Sequence, residues 1–110
     1  MGYPMAGHLI DNGHDVVVFN RTATKADRWC KQFSGSSTAT PAAAAEGAEL
    51  VFACVGNDDD VRDVLLGASG ALEGSEPGTV IVDHTTASAR LAREIHAIAA
   101  AKSVGFLDAP

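Results

Sequence analysis

At 110 residues, with 46% hydrophobic and 20% charged side chains, the chain has the make-up of one globular domain or a part of one. Its formal net charge of -6 argues against nucleic acid or an anionic membrane as the main partner, since both require a basic face. The longest apolar run, Leu50 to Val55, is far short of a spanning helix, and the amino terminus lacks the charged flank and cleavage site of a signal peptide, so a cytoplasmic protein is expected.

In chain order, Gly2 to Asn12 predicts a helix with Met5, Ala6, Leu9 and Ile10 on one face and Gly13 as its C-cap. Asp15 to Asn20 holds three valines and a phenylalanine in succession, the pattern of a strand covered on both faces of a parallel sheet. Thr22 or Thr24 caps the next helix, whose inward stripe is Ala26, Trp29, Cys30 and Phe33. Because Trp29 falls on that stripe, it is read as packing rather than as a stacking platform for a cofactor. Ser34 to Thr38 is a polar loop with room for a short edge strand, and Thr40-Pro41 then opens a small helix over Ala42 to Glu46.

Glu49 to Val55 is the clearest strand, and it delivers Gly56-Asn57-Asp58 at its carboxyl end. Asn57 or Asp58 caps a helix that turns Val61, Val64 and Leu65 inward and Arg62 and Asp63 outward. Gly67 to Gly78 is a glycine-rich connection without periodicity, and Thr79 to Asp83 is another buried strand. Ser88 caps an alanine-rich helix whose Leu91, Ala92, Ile95, Ile98 and Ala99 face the sheet, and Gly105 to Leu107 starts a last strand. Strands alternating with helices across short loops predict an α/β fold with a doubly wound parallel sheet. Cys30 and Cys54 form no Cys-x-x-Cys and read as small core side chains in a reducing compartment.

Five stretches carry a family resemblance: Met1-Gly2 with Met5-Ala6, Gly13-His14, Asn20-Arg21-Thr22, Val82-Asp83-His84-Thr85-Thr86, and the terminal Phe106-Leu107-Asp108-Ala109-Pro110. In these the chain resembles the cofactor domain of the β-hydroxyacid dehydrogenases, the group of 3-hydroxyisobutyrate dehydrogenase, tartronate semialdehyde reductase and 6-phosphogluconate dehydrogenase. The resemblance implies a Rossmann-type sheet and an oxidoreductase that moves a hydride between a nicotinamide and a small β-hydroxyacid. In that family a strand and Gly-x-Gly come before the position of Met1. Residues 1–110 are therefore expected to be a partial dinucleotide-binding domain without its first strand, with the helical catalytic domain absent. Val16 to Phe19 and Leu50 to Val55 would then lack the neighbour between them, which leaves two remedies: direct pairing of those strands, or association of copies as a homo-oligomer.

The resemblance also assigns site residues. Gly2 takes the place of the third glycine of the dinucleotide fingerprint, with Met1 beside it, and aims a helix amino end at the pyrophosphate. Val55 and Gly56 line the cofactor, Asp60 stands where the family has a further contact, and Thr86 lies near the nicotinamide. Asp58, Asp59 and Asp60 are equally explained as acidic residues at a helix start, where the helix dipole favours them. Their spacing matches no metal site. The choice of cofactor rests on the residues themselves. NAD sites place Asp or Glu at the end of the second strand, whereas Asn20 is neutral and is followed by Arg21, Thr22 and Lys25, so NADP is expected ahead of NAD.

No catalytic residue is assigned. His14, His84 and His96 are not paired with a nucleophile and an orienting acid, and Lys102 does not match the family's catalytic lysine. The small hydroxyacid substrate belongs to a full-length form only, and the fragment alone is expected to be inactive. The competing function is a non-catalytic Rossmann module that binds a nucleotide or a partner protein.

Overall fold

In a computed structural model that describes residues 2–110, six helices and five strands follow one another, alternating except where the fourth and fifth helices are consecutive. Helix α1 (Gly2–Asp11) stops just before Gly13, whose φ of 88° is the left-handed conformation that glycine adopts without steric cost. Strand β1 (Val17–Val18) leads to α2 (Ala23–Phe33), where Thr22 has the backbone angles of an N-cap but makes no capping side-chain bond. Strand β2 (Ser36–Ser37) is the short edge strand expected within the polar loop. Helix α3 (Pro41–Ala45) starts as its sequence predicts, with Thr40 Oγ1 accepting the Ala43 N–H at 3.1 Å.

Strand β3 (Leu50–Ala53) is followed by α4 (Asp58–Leu66), α5 (Ala71–Gly74), β4 (Val80–Asp83), α6 (Ala89–Ala101) and β5 (Gly105–Asp108). Asn57 caps α4 by accepting the Asp60 N–H at 3.0 Å, and Ser88 caps α6 by accepting the Leu91 N–H at 3.2 Å. Among the described residues no helix is long and apolar enough to cross a membrane.

All pairings between these strands are parallel, as the alternating order demands. They form two sheets: β1 with β2, and β3-β4-β5 with β4 in the middle. In the larger sheet Ala53 stands opposite Asp83, and Asp83 opposite Asp108. The two sheets are not hydrogen-bonded to each other among the described residues, so β1 and β3 do not close up by direct pairing.

That arrangement corrects the expectation of a long, doubly covered strand over Asp15 to Asn20. Among the described residues only Val17 and Val18 of this stretch are in a ladder, one edge of β1 has no partner, and Val17 is 45% exposed there. Leu50 and Phe52, 54% and 42% exposed, stand on the corresponding edge strand of the larger sheet.

Each sheet has its own apolar packing. The principal core belongs to the larger sheet, where Ile81 of β4 meets Val61 and Leu65 of α4 and Leu91 and Ile95 of α6. The smaller sheet is backed by an aromatic group. Trp29 is 2% exposed, its ring lies 5.6 Å from that of Phe33, and its Nε1 donates to the Tyr3 carbonyl at 3.2 Å. Trp29 is thus packing, and it locks α1 against α2. A side chain at Gly7 would overlap the Phe33 ring, which fixes how closely these two helices approach.

Three further expectations need correction. The stretch from Gly67 to Gly78 contains α5, a single turn too short for periodicity to reveal, held by buried Ala71 and Leu72. Ile98 is 40% exposed because the buried row of α6 runs through Leu91, Ile95 and Ala99, one position to its side. Cys30 and Cys54 are free thiols, and both are half-buried rather than enclosed.

Candidate functional site: the carboxyl ends of the strands

Parallel strands deliver their following residues to one end of a sheet, and open α/β sheets bind ligands there. Phe19 to Arg21 leave β1, Cys54 to Gly56 leave β3, and His84 to Thr86 leave β4. The amino end of α1 also reaches this end, because a Cβ on Gly2 would come within 3.5 Å of Cys54 Cβ. Gly2, Gly56 and Arg21 thus stand toward the same end of the two sheets, where a crevice for a ligand is expected.

At the β1 end, Asn20 Oδ1 accepts the Thr22 N–H at 2.8 Å, a local turn that also shapes the entry to α2. Asn20 is thereby engaged with its own backbone, and Arg21 is left to reach across the crevice. Arg21 Nη2 donates to Asp60 Oδ1 at 3.0 Å and lies 3.8 Å from Asp63 Oδ2. Asp60 is placed by the first turn of α4, and its Oδ2 would stand 2.7 Å from a Cβ on Gly56. Thr22 and Lys25 are exposed beside Arg21. A cavity of about 140 Å³ opens under Arg21, between Phe19, Pro41, Asp63, Val64 and Gly67. Ligand pockets run to roughly 300–1,000 Å³, so this hollow is smaller than a ligand pocket.

The acidic residues at the start of α4 have separate tasks. Asp58 accepts the Ser88 N–H at 2.8 Å, tying α4 to the start of α6. Hydrogen bonds from the Ser88 hydroxyl and backbone hold its carboxyl below the ordinary carboxylate range. Among the described residues no group of three or more His, Cys, Asp or Glu is arranged to hold a metal.

The family model described as the NAD binding domain of 6-phosphogluconate dehydrogenase matches residues 1–110. The chain belongs to this family. It is 54% identical to an uncharacterized oxidoreductase of Shewanella frigidimarina, over 100% of this chain and 38% of that protein. The 3-hydroxyisobutyrate dehydrogenase of Mycobacterium tuberculosis, solved with L-serine, has a TM-score of 0.88 and 29% identity, covering 100% of this chain and 36% of its own. Psf3, solved with NADP+ and 2-OPP, has a TM-score of 0.87 and 26% identity, covering 96% and 37%. The chain spans little more than a third of the length of these relatives.

Within this NAD-binding domain the structure sets Gly2 beside Cys54, Asp60 against Gly56 and Arg21 on Asp60, and turns Asn20 onto the Thr22 N–H. Thr86 is exposed at the end of β4, whereas its neighbour Thr85, which the sequence did not single out, is 3% exposed. Thr85 Oγ1 accepts the Val55 N–H at 3.0 Å, and Asp83 Oδ1 accepts the Thr85 N–H at 2.9 Å. Both act by holding the ends of β3 and β4 level. The sequence signal for them was their place in the stretch Val82-Asp83-His84-Thr85-Thr86 that carries the family resemblance. Met1 lies outside the described residues. His84 donates from Nδ1 to the Ala109 carbonyl at 2.7 Å and stacks on Phe52, which explains it as a structural residue.

Proposed function

We propose that residues 1–110 bind NADP(H) for an oxidoreductase that moves a hydride between the nicotinamide and a small β-hydroxyacid of the 3-hydroxyisobutyrate type. The observation that carries the choice of NADP is Arg21, whose guanidinium is 64% exposed at the mouth of the crevice and stands beside neutral Asn20. A guanidinium suits a 2′-phosphate because it offers planar, paired donors, and no carboxylate stands at the strand end to take two ribose hydroxyls.

The residues present fit this cofactor. The amino end of α1 at Gly2 offers backbone N–H groups to a pyrophosphate, and Val55, Gly56 and Thr86 flank the path toward the nicotinamide. Thr22 and Lys25 supplement Arg21 around the 2′-phosphate. The nicotinamide supplies the hydride; this domain supplies position. No residue of the domain takes the proton-transfer role. The hydroxyacid substrate, supported by the 3-hydroxyisobutyrate dehydrogenase among the similar structures, belongs to the same proposal, as do a cytoplasmic location and any homo-oligomer.

Fluorescence titration with NADPH and NADH tests the reading: tighter binding of NADPH supports it. Equal affinity for the two sinks the NADP assignment. Failure to bind either, in a folded protein, favours a non-catalytic module that binds a partner protein instead.

A further inference from the structure

Arg21 and Asp60 are 39 residues apart in sequence and belong to the flanks of different sheets. Among the described residues, theirs is the one side-chain hydrogen bond that joins residues 2–38 to residues 50–110. The two partners are not equally free. Asp60 has 26% of its side chain exposed, packs over Gly56, and has its backbone N–H fixed by the Asn57 cap. Arg21 is 64% exposed on a long, flexible stem. The carboxylate is therefore the fixed member, and the guanidinium comes to it.

From this asymmetry we infer that Asp60 is a specificity-determining residue that opposes the 2′-phosphate by competing for Arg21 across the crevice. The inference rests on the reading of Arg21 as the 2′-phosphate ligand. A guanidinium has five N–H donors and could touch both anions, but a phosphate and a carboxylate on one cation repel each other. Entry of NADP thus requires Arg21 to leave Asp60, or the two anions to share it at a cost. NAD, lacking the 2′-phosphate, leaves the pair intact. Asp60 accordingly lowers the preference for NADP without contacting the cofactor itself. Asp63, 3.8 Å from Arg21 and 74% exposed, adds a weaker effect of the same sign.

The test is a titration of the protein with NADPH and NADH in four forms: unaltered, Asp60→Asn, Arg21→Ala, and both together. Asparagine keeps the size of the side chain and leaves the Asn57 cap in place. Asp60→Asn is expected to tighten NADPH by about three- to fivefold, the scale on which exposed ion pairs act, and to leave NADH within twofold. In the Arg21→Ala background the same change should have no effect on NADPH. If Arg21→Ala weakens NADPH but Asp60→Asn does not tighten it, Asp60 plays no part in discrimination and this inference alone fails. If Asp60→Asn weakens both dinucleotides, Asp60 is a direct cofactor ligand and the inference is overturned. If Arg21→Ala leaves NADPH unchanged, the assignment of the 2′-phosphate site fails, and this inference falls with it.

Discussion

Thr85 Oγ1 accepts the Val55 N–H at 3.0 Å, so a side chain at the end of β4 replaces the ladder bond that β3 would otherwise lose at its carboxyl end. The pairing of Ala53 with Asp83 continues through this contact into the segment that borders the crevice. Thr85→Val keeps the shape and leaves the amide without its partner. The expected cost is about 1–3 kcal/mol, with Thr85→Ser recovering part of it, as read from urea denaturation midpoints.

Gly74 closes α5 directly against α3, where a Cβ would overlap the backbone carbonyl of Ala42. Backbone cannot swing aside as a side-chain tip can. Gly74→Ala should therefore destabilise by about 1–3 kcal/mol, the usual cost of overpacking. Gly47→Ala makes a useful contrast: nothing lies near that Cβ, but the φ of 71° is left-handed. It should cost about 1–2 kcal/mol from backbone strain alone. Thermal unfolding of both variants measures the difference in mechanism only if their crystal structures show α3 and α5 displaced in Gly74→Ala and in place in Gly47→Ala.

Arg62 Nη1 donates to Glu94 Oε1 at 2.6 Å and ties α4 to α6. The hydrogen bond from Arg62 holds the Glu94 carboxyl below the ordinary range, and the Ser88 bonds do the same for Asp58. A carboxyl whose value is lower in the folded state stabilises the fold above its unfolded-state value, and that contribution is lost as pH falls through the folded one. Denaturation midpoints should thus fall between about pH 5 and about pH 2. Glu94→Gln should flatten this acid limb, and a limb of unchanged slope would show that the pair does not couple to folding.

The caps at Thr40 and Ser88 were legible, and that at Asn57 was narrowed to Asn57 or Asp58, because caps are local: a short polar side chain bonds to the backbone three residues ahead. Trp29 was legible for a similar reason, since helical spacing set it on the inward stripe. What the sequence hid is non-local. Val17 reads as a doubly covered strand residue, and in the structure it is exposed on a strand with one edge unpaired among the described residues. Arg21 was identifiable as a basic residue at a strand end, but its pairing with Asp60 depends on how two sheets are set against each other. Thr85 lay hidden next to Thr86 because alternation along an extended segment, not residue type, decides which of two threonines turns inward.

The central claim is that Arg21 binds the 2′-phosphate of NADP, and titration calorimetry of the protein and its Arg21→Ala variant with both cofactors tests it most directly. Loss of a charged hydrogen bond should weaken NADP by about 1.5–3 kcal/mol, roughly tenfold to more than a hundredfold, with little change for NAD. Equal losses for NADP and NAD, or no loss for NADP, would contradict the claim.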